Sequence, residues 1–196
     1  MRLIVTLAIG YMVGSVPLAV LVARRNGVPD LRLTGDGNAG YWNAKTTLGR
    51  RAALPVFVGD AAKGALAAAA GLAISTHWWV AYLGAGAAMI GHAWPVFARF
   101  RGGRSVLTFA GAICVLAPLA AAISIGVLLV VMAATRSFAW AARAGVFSLP
   151  FVQLFVDGRY RTAATGGLMT LIGVRFAQAA LADRRGEVTT QPDAVA

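Results

Sequence analysis

The chain has 196 residues, of which 59% are hydrophobic and 13% charged, with a mean hydropathy of +0.71. A soluble domain this apolar would aggregate, so most of its solvent is lipid. Lys and Arg number 18 against 7 Asp and Glu, a formal net charge of +11, which points to anionic partners such as lipid headgroups or phosphorylated substrates. The basic residues are interrupted by long apolar runs and form no recognition helix with a polar face, so no nucleic-acid partner is expected. A lone cysteine, Cys114, gives neither a disulfide framework nor zinc-ligand spacing.

The first apolar run, near 3–23, holds Gly14, Ser15 and Pro17 and ends in Arg24-Arg25 rather than at a small-residue cleavage site. It is expected to be an uncleaved span and not a signal peptide. Runs near 52–75 and 78–98 follow, each close to the ~20 residues that carry a helix across ~30 Å of hydrocarbon. The run 105–134 is too long for one helix, and Pro118 near its middle removes a helical hydrogen bond, so it divides into two short spans joined by a tight external turn. Two more spans are predicted near 138–156 and 162–182, with DGRYR at 157–161 as their turn. The expected fold is all-α, a polytopic membrane bundle of about seven transmembrane helices in one domain over 1–182. Residues 183–196 are polar and without periodicity, and are expected to form a disordered tail. No internal repeat stands out, which argues against a transporter built from inverted halves.

Orientation follows from the basic residues. With the N-terminus outside, the inner side receives Arg24, Arg25, Arg32, Lys45, Arg50, Arg51, Arg99, Arg101, Arg104, Arg136, Arg143, Arg184 and Arg185, and the outer side keeps Arg2, Arg159 and Arg161. This positive-inside bias turns two glycine-rich loops, GDGNAGYWNAKTTLGRR at 35–51 and RFRGGR at 99–104, toward the cytoplasm.

Gly35, Gly37 and Gly40 permit positive φ and close backbone approach, so successive N–H groups could converge on phosphate oxygens. Asn38 and Asn43 add amide donors, and Gly102-Gly103 between Arg101 and Arg104 offers the same combination with guanidinium groups. Within the spans, Asp60 and Lys63 stand three residues apart on one helix face, where they can pair or touch a ligand. His92, in GHAWPVF at 91–97, is expected to be a hydrogen-bonded structural group before a catalyst. His77 with Trp78 and Trp79 suits an interfacial aromatic belt. The Ala-rich stretch 65–73 and Gly84 to Ala88 would allow close helix approach and leave a groove for an acyl chain.

Four segments together, GSVPLAVLVAR at 14–24, GDGNAGYWN at 35–43, DAAKG at 60–64 and GHAWPVFARFRGGRSVLT at 91–108, resemble the bacterial membrane acyltransferases that acylate glycerol 3-phosphate from acyl phosphate, the PlsY family. The resemblance implies seven spans in the bacterial cell membrane with the motif loops cytoplasmic, and transfer of a fatty acyl group to the 1-hydroxyl of glycerol 3-phosphate to give lysophosphatidate and phosphate. It implies no metal or organic cofactor, and acyl phosphate, glycerol 3-phosphate and membrane lipids as partners. Carried onto this sequence, it assigns Asp36 and Asn38 to catalysis, and Gly35, Gly37, Gly40, Asn43, Lys63, His92, Arg101, Gly102, Gly103, Arg104 and Arg136 to substrate binding.

The chain departs from the family pattern at several of these places. Asp36 stands for a serine, Tyr41 and Trp42 for Ala-Thr, Thr46 for an arginine, Arg104 for a lysine and Ser105 for a glycine. Ala139 and Ala142 fall where two serines are expected, and the last apolar stretch, VRFAQAALADRR, lacks the family's histidine and asparagine. Lost donors and an added carboxylate leave an alternative reading open, a catalytically weak or inactive paralogue that binds lipid, phosphate ligands or a protein partner.

Overall fold

The computed structural model describes residues 1–185. Those residues form nine α-helices and two short 3₁₀ turns, with no strand among them. Helix α1 (Arg2–Gly14) and α2 (Leu18–Arg25) form one apolar unit of 24 residues. The helix breaks over Ser15–Pro17 because Pro17 has no N–H to continue the ladder. After a 3₁₀ turn at Leu31–Leu33 come α3 (Tyr41–Leu48), α4 (Arg50–Ile74) and α5 (Trp78–Ala93). A second 3₁₀ turn at Val96–Ala98 leads to α6 (Val106–Leu116), α7 (Pro118–Thr135), α8 (Phe138–Val156) and α9 (Arg159–Arg184).

The all-helical bundle agrees with the sequence reading, and so does the break at Pro118, which sits at the first turn of α7 where its missing N–H is harmless. Five segments are both long and apolar enough to cross a membrane: 2–25, 50–74, 78–98, 118–135 and 138–156. The other two expected spans differ from that picture. Helix α6 has 11 residues and rises only ~16 Å, about half the hydrocarbon thickness. Helix α9, with 26 residues, is long enough, but Arg159, Arg161, Arg175, Asp183 and Arg184 interrupt its apolar character. It also runs two residues past the predicted end at 182; the rest of the expected tail, 186–196, lies outside the described residues.

Packing follows from where small residues let backbones meet. A methyl group at Gly10 or Gly14 of α1 would collide with the Gly84 or Ala88 carbonyl of α5. One at Gly64 of α4 would collide with the Thr108 carbonyl of α6, and one at Gly111 with the Ala61 carbonyl in return. Such close approach replaces the hydrophobic drive that lipid cannot supply between helices. The main core joins α4, α5, α6, α8 and α9 through Ala68, Tyr82, Met89, Phe109, Leu149 and Leu168. A second core of Ala19, Ala23, Leu31, Ala44, Ala53 and Val56 lies under the 24–51 segment. That segment is therefore a packed cap and not an open glycine loop.

The collision at Gly64 generates the first prediction. Gly64→Leu should separate α4 from α6 and lower the stability of the detergent-solubilised protein by about 1–3 kcal/mol. Gly167→Ala, where an added methyl meets nothing, should leave the unfolding temperature unchanged. Equal melting curves for the two variants would contradict the packing described.

Candidate active site

At the cap end of the bundle, the charged residues of α4 meet the end of α5. Lys63 Nζ lies 2.8 Å from Asp60 Oδ1 and 3.2 Å from His92 Nδ1, and all three side chains are buried. His92 Nδ1 also stands 3.6 Å from Asp60 Oδ1, so the ring faces both members of the pair. Asp60 Oδ1 accepts no hydrogen bond of good geometry and is held by charge. The pair predicted from its spacing exists, and His92 joins it as a hydrogen-bonded brace.

The C-terminus of α5 would otherwise expose bare carbonyls. Gly102 N–H donates to Ala93 O and Gly103 N–H to His92 O, each at 3.1 Å. Ser105 Oγ donates to Met89 O at 2.8 Å and Tyr11 Oη to Trp94 O at 3.0 Å. The Gly102 and Gly103 amides, expected at a phosphate cradle, close a helix end in this structure. Glycine is needed there for close approach, since a Cβ at position 102 would strike the His92 carbonyl and one at 103 the His92 ring. Ser105 holds a left-handed φ of 61°, a conformation that costs a non-glycine residue about 1 kcal/mol or more, and its hydroxyl bond to Met89 offsets part of that.

The first loop is organised from within. Asn43 is fully buried, and its Nδ2 donates to Leu31 O, Thr34 O and Asn38 O at 2.9–3.1 Å. Its amide N–H groups, expected as ligand donors, bond to carbonyls of the loop in this structure. Gly35 and Gly37 take positive φ, as expected, whereas Gly40 is extended at φ −141° and opens α3. Arg32 pairs with Asp30 at 2.6 Å and donates from its Nη1 to Ala98 O and Arg101 O, so it ties the first loop to the second. The Arg32 hydrogen bond holds the Asp30 carboxyl below the ordinary carboxylate range. The clasp therefore contributes above about pH 4 and is lost as pH falls through the depressed value.

Two of the departures from the family pattern meet each other. Arg104 Nη1 lies 3.0 Å from Asp36 Oδ2, and the other Asp36 oxygen accepts the Asn38 N–H at 3.2 Å. Arg104 also lies over the Phe176 ring of α9, 4.8 Å from its centroid. Thr46, which stands for an arginine, bonds back to Trp42 O and Asn43 O and supplies no cation. Lys45, one residue earlier, rests on Trp42, which stacks on Phe138 at the start of α8.

Sequence reading overlooked Arg175. Its Nε and Nη2 donate to Gly103 O and Gly102 O at 3.2 Å, its Nη1 to Gln178 Oε1 at 2.8 Å, and its guanidinium lies 5.0 Å from the Trp94 ring centroid. The rule that marked Asp60 and Lys63, that a charge inside an apolar helix needs a partner or a task, would have marked it too.

A cleft opens where α1 breaks into α2, lined among others by Pro17, Ala39, Asp60, Lys63, His92 and Arg101. Lys63 and Arg101 bring positive charge to it. Asp36, Asn38 and Arg104 stand a few residues along the same loops, and the Asn38 side-chain amide has no hydrogen bond among the described residues. Arg136 is not brought into this group. It sits exposed at the α7–α8 turn with φ 51°, and its side chain has no partner among the described residues.

The buried trio sets a second expectation. Lys63→Met leaves Asp60 buried without its counter-charge and should destabilise the protein by about 3–5 kcal/mol. Adding Asp60→Asn should recover part of that loss in chemical unfolding; strictly additive losses would mean the two are not coupled.

The family model described as "Glycerol-3-phosphate acyltransferase" matches residues 4–182. A glycerol-3-phosphate acyltransferase of Desulforudis audaxviator is 35% identical over 174 residues, covering 89% of this chain and 87% of the relative. Glycerol-3-phosphate acyltransferase 5 of Dehalococcoides mccartyi is 38% identical over 167 residues, covering 80% of this chain and 69% of the relative. The crystal structure of PlsY, an integral membrane glycerol 3-phosphate acyltransferase in its glycerol 3-phosphate form, superposes with a TM-score of 0.79 at 27% identity, covering 97% of this chain and 96% of PlsY. The lysophosphatidic acid form gives 0.77 at 25% identity with similar coverage. With its helices, its cap and its paired loops in that arrangement, the chain belongs to the glycerol-3-phosphate acyltransferase family.

Proposed function

We propose that this protein transfers a fatty acyl group from acyl phosphate to glycerol 3-phosphate at the cytoplasmic face of a bacterial inner membrane. The observation that carries this reading is the convergence of Lys63 and Arg101 on one cleft at the cap end of an apolar bundle, with Arg104 on the loop beside it. Cations at that place suit two phosphorylated substrates, one of them with an acyl chain in the lipid.

In the reaction the acceptor hydroxyl oxygen attacks the acyl carbonyl carbon. The bond from that carbon to the phosphate oxygen then breaks, and its electron pair leaves with inorganic phosphate. The hydroxyl proton must leave as the new ester bond forms. Asp36 is the carboxylate of the anion-binding loops, and in this reading it takes the proton and passes it to the departing phosphate. The free side-chain amide of Asn38 is suited to donate to the developing oxyanion. Lys63, Arg101 and Arg104 hold phosphoryl oxygens, each charge-assisted contact contributing about 1.5–3 kcal/mol. As written, the reaction balances without a metal or organic cofactor.

Two tests address this reading. With acyl phosphate and glycerol 3-phosphate, the purified protein should form lysophosphatidate, and Asp36→Asn should lower kcat by about 10²–10⁴. Arg101→Ala should weaken glycerol 3-phosphate binding by about 1.5–3 kcal/mol, and Arg161→Ala at the other end of the bundle should not. Absence of product from the wild type would overturn the assignment of activity. For orientation, cysteines placed at Asn26 and Arg51 in a Cys114→Ser background should react with an impermeant reagent from the cytoplasmic side alone. Labelling of either from outside would invert the topology.

A further inference from the structure

The pairing of Asp36 with Arg104 has a mechanical setting of its own. Asn43 Nδ2 bonds Thr34 O on one side and Asn38 O on the other, so the loop is pinned at both ends of the tripeptide 35–37. Gly35 and Gly37 flank Asp36 with φ of 54° and 67°. Asp36 thus rides on a short arch whose feet are fixed and which the Gly37 N–H closes on Thr34 O at 3.1 Å. The arch makes one ion pair, with Arg104.

Arg104 is fixed from its other sides. Ser105, its neighbour, is anchored to Met89 O, and the guanidinium rests on Phe176. The cation is braced on both sides, whereas the carboxylate is held by Arg104 and by one bond of 3.2 Å from the Asn38 N–H. The pair is accessible, with 36% of the Asp36 side chain and 23% of that of Arg104 exposed. An ion pair exposed to this degree favours the closed arrangement by a factor of about five at most. A phosphate monoester carries about two negative charges and three acceptor oxygens, against one charge and two oxygens on Asp36.

We propose that Asp36 is a tethered counter-anion of Arg104, and that a phosphoryl ligand binds by taking its place while the Asp36 side chain turns aside on its fixed arch. The exchange selects ligands by charge: an anion weaker than the tethered carboxylate does not open the seat, and a phosphate monoester does. It also keeps the Arg104 guanidinium paired when no substrate is bound, and releases the Asp36 carboxylate only once a phosphoryl group has arrived. The inference rests on the reading that Arg104 meets a phosphoryl group, and it extends that reading from a contact to an exchange.

Isothermal titration of the detergent-solubilised full-length protein with glycerol 3-phosphate, and separately with inorganic phosphate, tests the exchange without an acyl donor. Asp36→Asn keeps the oxygen that accepts the Asn38 N–H and removes the charge, so it should tighten both ligands by up to about fivefold. Asp36→Ser should act in the same direction. Arg104→Ala should weaken both by about tenfold or more, and in that background Asp36→Asn should bring no gain. Unchanged or weaker binding in Asp36→Asn overturns the proposal, as does an equal gain with and without Arg104, which would reflect net charge alone. A gain that depends on Arg104 upholds the exchange even where acyl transfer fails, and normal acyl transfer with no such gain leaves the enzyme reading standing without it. Failure of every variant to bind either anion overturns both.

Discussion

Everything at the cap end depends on how the C-terminus of α5 is closed. A helix leaves its last carbonyls bare, and a membrane interior offers nothing to satisfy them. Here the partners are the amides of Gly102 and Gly103 and the hydroxyls of Ser105 and Tyr11. Once the loop is drawn against the helix end, His92 faces Lys63 and the carbonyls of 102 and 103 turn out to meet Arg175. Arg104 is carried to the first loop. The cleft is thus a by-product of a backbone obligation, with charge arranged around it.

The departures from the family pattern take on order in this frame. An added carboxylate at 36 is unfavourable beside a dianion when considered alone, yet the structure pairs it with the arginine at 104. Ser105 keeps the left-handed backbone that a glycine would adopt and gains a bond to a buried carbonyl. On α9, which lacks the family's histidine and asparagine, Arg175 and Gln178 are bonded to each other three residues apart. These changes replace one set of contacts by another, and the family relationship favours an enzyme over an inactive paralogue.

Much of the scaffold was legible in the sequence, because lipid solvation leaves a strong compositional mark. Apolar run lengths gave most helices within a few residues, Pro118 marked a true break, and Asp60 and Lys63 announced their pair by spacing. The short α3 was not legible: Tyr41 and Trp42 find their partners, Phe57 and Phe138, only in the folded chain. Glycines are ambiguous in sequence for a related reason. Permission for close approach is the same in sequence whether the approaching group is a phosphate, as expected at 102 and 103, or a helix carbonyl, as found. Nothing local reveals that three carbonyls of its own loop surround the Asn43 amide.

The boundary between fixed and adjustable parts falls between neighbouring residues. At 102 and 103 the chain tolerates no side chain, because an added carbon would overlap His92, and the constraint is one of volume. At 104, and across the cleft at 36, side chains reach outward and the constraint is one of charge. Evolution, or a protein engineer, can therefore retune which anion the site prefers by altering 36 and 104 together while the helix closure one step away stays untouched. That separation makes ligand preference an evolvable property of this scaffold, able to drift without the fold drifting with it.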